Sequence, residues 1–140
     1  MALPSQLTLD IVTPDRALVS QSVDEVQIPG GDGYFGVLPG HTPLLATMQV
    51  GQLWYRTGQD RSYLAVVFGF AEVLPDRVTI LAKVAERAEE IDVERARSAQ
   101  QRAEERLGTR TVEIDFARAR VALLRSLVRL QVAARARLRR

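Results

Sequence analysis

A chain of 140 residues, 46% hydrophobic and 26% charged, has the size and balance of one ordinary globular domain or two small ones, which excludes disorder throughout. With no cysteine and a single histidine it cannot form disulfides, thiolate nucleophiles, Cys-based metal sites or a multi-histidine site. The net charge of +2 hides an asymmetry: residues 1–85 carry five bases against eight acids, whereas residues 86–140 carry fourteen bases, all Arg, against nine acids, the last of them Asp115.

The start, MALPSQLTLD, lacks the basic and then apolar run of a signal peptide, and no window approaches the roughly 18 apolar residues of a membrane span. This predicts a chain kept in the cytoplasm. Up to about Lys83 the apolar residues recur every second position, as in Leu7, Leu9 and Ile11, Val26 and Ile28, Leu53 and Tyr55, then Val78, Ile80 and Ala82. That is the period of a strand, whose successive side chains point to opposite faces. Turn residues interrupt the pattern at Pro14-Asp15, from Pro29 to Gly33, at Pro39-Gly40, Gly51, from Thr57 to Asp60, at Gly69 and at Pro75-Asp76. Many short strands with frequent turns predict an antiparallel β-sandwich or barrel over 1–85. The run Tyr63 to Phe70 is apolar on both faces and is expected to lie centrally. The segment from Tyr34 to Leu45, with two glycines, two prolines and the histidine among apolar residues, fits neither simple period and reads as a shaped connector.

From Glu86 onward Gly108 is the only breaker, and the good helix formers Ala, Arg, Glu, Leu and Gln dominate. Residues 86–140 therefore read as an αα-hairpin, making the fold class α+β. Asp92 and Asp115 are placed to cap the two helices, Gly108 to end the first, and Thr109 to Val112 to connect them. The inner face of the first helix offers Ala96, Ala99, Ala103 and Leu107. The second offers Leu123, Leu127, Leu130 and Ala134, with Leu124 and Val128 alongside. A buried Ala contributes less than the roughly 1.5–3 kcal/mol of a buried Leu, so the alanine seam holds weakly and suits an arm that changes partners. A permanently docked hairpin is equally compatible with these residues.

No set of residues assembles an active site. Gly30-Gly31-Asp32-Gly33 has the spacing of neither a phosphate loop nor a dinucleotide fold, and Glu89-Glu90 and Glu104-Glu105 read as solvated helix faces. A carboxylate-only metal site has no motif behind it. The element Ile91-Asp92-Val93-Glu94-Arg95-Ala96 repeats 23 residues later as Ile114-Asp115-Phe116-Ala117-Arg118-Ala119, which helix initiation accounts for. Chemically, an Asp accepts from an amino or hydroxyl group, and an Arg offers phosphate a planar donor fork.

Taken together, the LTLDIVTPDR start, the VDEVQIPGGDG turn, FGVLPGHTPLL, the GFAEV strand, IDVERA and the closing hairpin resemble, over essentially the whole chain, the epsilon subunits of bacterial F-type ATP synthases, which correspond to the mitochondrial delta subunit. The resemblance implies a non-catalytic rotor subunit at the cytoplasmic face of the bacterial plasma membrane. Its sandwich would grip the gamma subunit and the c-ring, with Asp32, Tyr34 and His41 as contacts. Its hairpin would inhibit ATP hydrolysis by meeting the alpha and beta subunits through Arg118, Arg120, Arg125, Arg129, Arg135 and Arg137. It further implies ATP as a regulatory ligand, with no cofactor required, held by Glu86, Ile91, Asp92, Arg95 and Ala96 together with Arg125 and Arg129. A different class, an Arg-rich nucleic-acid-binding protein with a β-sandwich, is suggested by eight arginines and no acid from Arg118 to Arg140. The apolar face on the same helix and the lack of a stacking motif weigh against it. A free-standing ATP sensor is the third reading.

Overall fold

The computed structural model describes residues 3–109 and 116–138. Eight strands come first: β1 (Leu7–Val12), β2 (Ala17–Val23), β3 (Glu25–Gly30), β4 (Gly33–Val37), β5 (Leu44–Met48), β6 (Gly51–Thr57), β7 (Asp60–Val73) and β8 (Arg77–Arg87). A short 3-10 turn (Ala88–Glu90) leads into α1 (Val93–Gly108), and α2 (Phe116–Leu138) closes the described chain. The strands run β2-β1-β8-β7-β5-β3-β4, with β6 joining β3 and β7. All pairs are antiparallel except β1 with β8, so the expected antiparallel sandwich is a mixed one.

The long strand β7 makes the sandwich possible. Its first half pairs with β6 and its second half with β5, while β8 follows it along both. Between the halves, Phe68 and Gly69 both have positive φ, 51° and 134°. A Cβ on Gly69 would lie 2.0 Å from the carbonyl oxygen of Leu81, so only glycine lets β8 pass at this bend. Strand alternation does the rest: Leu7, Leu9 and Ile11 of β1, Val26 and Ile28 of β3, and Val78 and Ile80 of β8 are all essentially solvent-free within one core.

The hairpin has its own small cluster, in which Ile91, Val132 and Ala133 pack with Ala65 and Ala88 beside half-buried Tyr63 and Val128. Asp92 caps α1 as expected, accepting from the backbone N–H of Arg95 at 3.1 Å. Gly108 is the last residue of α1, followed by Thr109, whose hydroxyl donates to the Glu105 carbonyl at 2.9 Å. Asp115 and the connector beyond Thr109 lie outside the described residues. In α1, Ala96 and Ala103 of the expected face are buried. In α2 the fully buried positions are Ala119, Ser126, Val132 and Ala133, whereas Leu123, Leu127 and Leu130 are half-buried and Ala134 is exposed. The difference arises because α2 packs on α1 and also on β6, β7 and the 3-10 turn, so its driest stripe lies between two contact faces. Strand β8 carries Glu86 and Arg87, residues the sequence pattern grouped with the helical part.

Candidate functional site

A cavity of about 190 Å³ lies where the hairpin rests on the sheet. The sheet contributes Ala65 and Val67 from β7 and Val84 and Glu86 from β8. The helices contribute Ala99 from α1 and Ala122, Arg125, Ser126 and Arg129 from α2. Strand period 2 brings Val84 and Glu86 to one face, and helical spacing brings Ala122, Arg125, Ser126 and Arg129 to one side of α2. Glu86 and Arg129 meet across it: Arg129 Nη2 donates to Glu86 Oε2 at 3.1 Å, while Nε faces Oε1 at 2.8 Å as an ion pair without a hydrogen-bonding angle. The pair ties α2 to β8 at about three-quarters burial. Arg125 also lines a wider cleft of about 540 Å³ with Arg106 and Arg118.

Of the residues expected to hold a nucleotide, the fold gathers Glu86, Arg125 and Arg129 into one cavity. Ile91 belongs instead to the docking cluster, Ala96 is buried, Arg95 is exposed, and Asp92, which caps α1 through Oδ1, does not line the cavity. The chemistry fits a nucleotide, with arginine forks for phosphate and acceptors for a base. The size fits only part of one, since pockets that enclose drug-sized ligands run about 300–1,000 Å³. The phosphates would have to project outward along Arg125.

The basic residues divide similarly. Arg118, Arg120 and Arg125 are exposed, Arg129 is paired to Glu86, and Arg135 stacks over the Tyr63 ring at 5.1 Å. The side chain of Arg137 lies outside the described residues. Asp32 and Tyr34 sit at the β3–β4 turn, where the Tyr34 hydroxyl accepts from the Gln52 N–H at 3.0 Å. His41 lies past the opposite end of β4, its Nδ1 2.6 Å from the Thr42 carbonyl, so the three expected contacts do not form one site. Next to Gly40, that loop rests on the β7–β8 turn through Gly40 N–H to Pro75 O, 2.7 Å.

Two structural features carry no signature in the sequence. One is an apolar outer face with Phe70 and Leu81 each 53% exposed, forming a groove of about 460 Å³ with Val12 and Pro14. Another is a clasp where the sheet meets the hairpin. The Thr13 hydroxyl accepts from the N–H groups of Asp15 and Arg16, shaping the turn from which Arg16 reaches Glu90 through two hydrogen bonds of 2.6 and 3.2 Å. Arg87 donates to the Leu18 carbonyl with its side chain and to Glu90 with its N–H. The Arg16 guanidinium, helped by that N–H, holds the Glu90 carboxyl below its ordinary range, and Glu90 raises Arg16 in turn. No local pattern could connect residues 16 and 90.

The family model described as ATP synthase, Delta/Epsilon chain, beta-sandwich domain matches residues 6–88, and the long alpha-helix domain of the same chain matches residues 89–134. An ATP synthase epsilon chain of Syntrophobacter fumaroxidans is 50% identical over 131 residues, covering 94% of this chain and 98% of its own. One of Nitratidesulfovibrio vulgaris is 47% identical, covering 93% and 97%. A chain in the Euglena gracilis mitochondrial ATP synthase structure, containing OSCP, F1 and c-ring, superimposes with TM-score 0.82 at 25% identity over 96% of this chain and 84% of that one. A chain of the Tetrahymena thermophila central stalk and c-ring shares the fold at TM-score 0.56 and 12% identity, covering 93% and 95%.

Proposed function

The chain belongs to the ATP synthase delta/epsilon family, and on that premise we propose that its two parts divide the work of coupling and regulation. It is a non-catalytic central-stalk subunit of an F-type ATP synthase, not a nucleic-acid binder. The sandwich is the coupling part: a doubly paired sheet bent around one core resists deformation, as torque transmission requires. Gamma docks on the apolar face of Phe70 and Leu81, because exposed apolar surface lining a groove is costly unless covered. The polar β3–β4 turn with Asp32 and Tyr34 faces the c-ring. The subunit is peripheral to the membrane through its complex, on the cytoplasmic side of a bacterial plasma membrane.

The hairpin is the regulatory part. The observation that carries this is its separate, alanine-rich seat on the sheet, reinforced by the Glu86–Arg129 pair and the Arg135–Tyr63 stack. Released, the arm would present Arg118, Arg120, Arg125, Arg129, Arg135 and Arg137 to acidic surface on the alpha and beta subunits and stop hydrolysis. ATP in the cavity favours the docked arm, since Arg125 and Arg129 serve either ligand or inhibition. Because β8 extends to Arg87, the test is to remove residues 91–140, leaving the sheet whole, and to assay ATP hydrolysis by the assembled enzyme. Hydrolysis should rise; unchanged activity refutes the inhibitory role.

A further inference from the structure

We propose that Lys83 selects the partner surface at the apolar groove, by receiving a carboxylate of gamma when that groove is covered. This rests on the placing of gamma there and adds to it the chemistry that the docked segment must carry. Strand β8 alternates at this point: Ile80 and Ala82 are buried in the sandwich core, while Leu81 and Lys83 are exposed. Lys83 accordingly lines the groove beside Phe70, Leu81, Val12 and Pro14. It is the only lysine of the chain, and it has no ion-pair or hydrogen-bond partner among the described residues.

The groove cannot neutralise this cation itself. Its remaining members are Gly69, Ala82 and Thr13, and the Thr13 hydroxyl is already engaged within its own turn. Farther along β8, Arg77 is held by Asp10 of β1 at 2.6 Å. Glu72, exposed two residues beyond Phe70 on β7, pairs in register with Thr79, which lies four residues before Lys83, about 13 Å along the strand. The face is therefore apolar in its middle, with Lys83 at one end and Glu72 at the other. A segment laid across Phe70 and Leu81 strips water from the Lys83 ammonium. An unpaired ammonium so covered opposes binding, whereas a carboxylate set against it replaces the lost hydration. The same carboxylate turned toward Glu72 meets a like charge, so the two ends also fix the direction in which the segment docks.

Carbodiimide cross-linking of the assembled ATP synthase tests this. The reagent joins an amine to a carboxylate in contact with it, taking up the water lost as the amide forms. Peptide mapping should find Lys83 joined to an aspartate or glutamate of gamma, and Lys83→Arg should lose that link. No link at Lys83, as for a side chain that turns its ammonium out to solvent, overturns the proposal, and so does a link to another subunit. Binding of the full chain to enzyme stripped of this subunit gives the energetic side. Lys83→Met should weaken binding about tenfold and Lys83→Glu at least about thirtyfold, since the latter sets two acids face to face. Lys83→Glu that binds like the wild type overturns the proposal. If Phe70→Glu still weakens binding, the placing of gamma survives that failure; if Phe70→Glu also binds normally, the placing of gamma fails with it.

Discussion

Truncating Val132 to Ala would isolate the strength of the hairpin's seat. Val132 is 0% exposed and packs with Ile91, Ala65, Ala88 and Ala133, a cluster distinct from the sandwich core. Removing two methyl groups forfeits about 0.8 kcal/mol each, and a partly collapsed cavity adds to that, for a total of about 2 kcal/mol. Three of the five buried members are already alanine, so those neighbours have no side-chain length with which to refill the gap. Two kcal/mol shifts the docked-to-released ratio by about thirtyfold. Native-state hydrogen exchange should therefore accelerate across α1 and α2 while strands β1, β7 and β8 keep their protection. In the assembled enzyme, inhibition of hydrolysis should deepen. Val26→Ala, in the sandwich core, is the control that should loosen the strands. If Val132→Ala instead loosened sheet and hairpin equally, the two would form one cooperative unit and the switching argument would fail.

Glu90→Gln should loosen the hinge and abolish an acid response. Because Arg16 holds the folded carboxyl below its ordinary value of 4.5, the clasp contributes fully above that value and fades as pH falls through the depressed one. Protection factors at residues 88–92, corrected for the intrinsic pH dependence of exchange, should thus fall with acid in the wild type beyond any fall in the variant; parallel pH curves would remove the clasp from the account. Gly69→Ala should destabilise the sandwich by about 3 kcal/mol or more, read as a lowered melting temperature, because its Cβ meets backbone at 2.0 Å and φ is +134°. An unchanged melting temperature would mean that the bend can move. Phe70→Glu, half-exposed on the outer face, should leave thermal stability within about 0.5 kcal/mol yet lower the affinity for gamma by at least about tenfold. Normal assembly would place the gamma contact elsewhere.

Much of the architecture was legible in the residues because it depends on local periods. Alternation every two positions gives the strands their dry faces, Asp92 has the short acceptor that a helix start needs, and Gly108 ends the alanine-rich run of α1. The family strings are equally local, being consecutive residues. What only the tertiary structure decided involves residues far apart in the chain or squeezed between two neighbours. The parallel β1–β8 pairing, the bend at Phe68-Gly69, the Arg16–Glu90 clasp and the Arg135–Tyr63 stack join segments that no spacing rule links. The cavity behaved the same way. Sequence supplied Glu86, Arg125 and Arg129, but finding that Ser126 lines it and Asp92 does not required knowing which side of α2 faces both α1 and the sheet, and a helical wheel ranks faces by hydrophobicity without knowing that two partners share one.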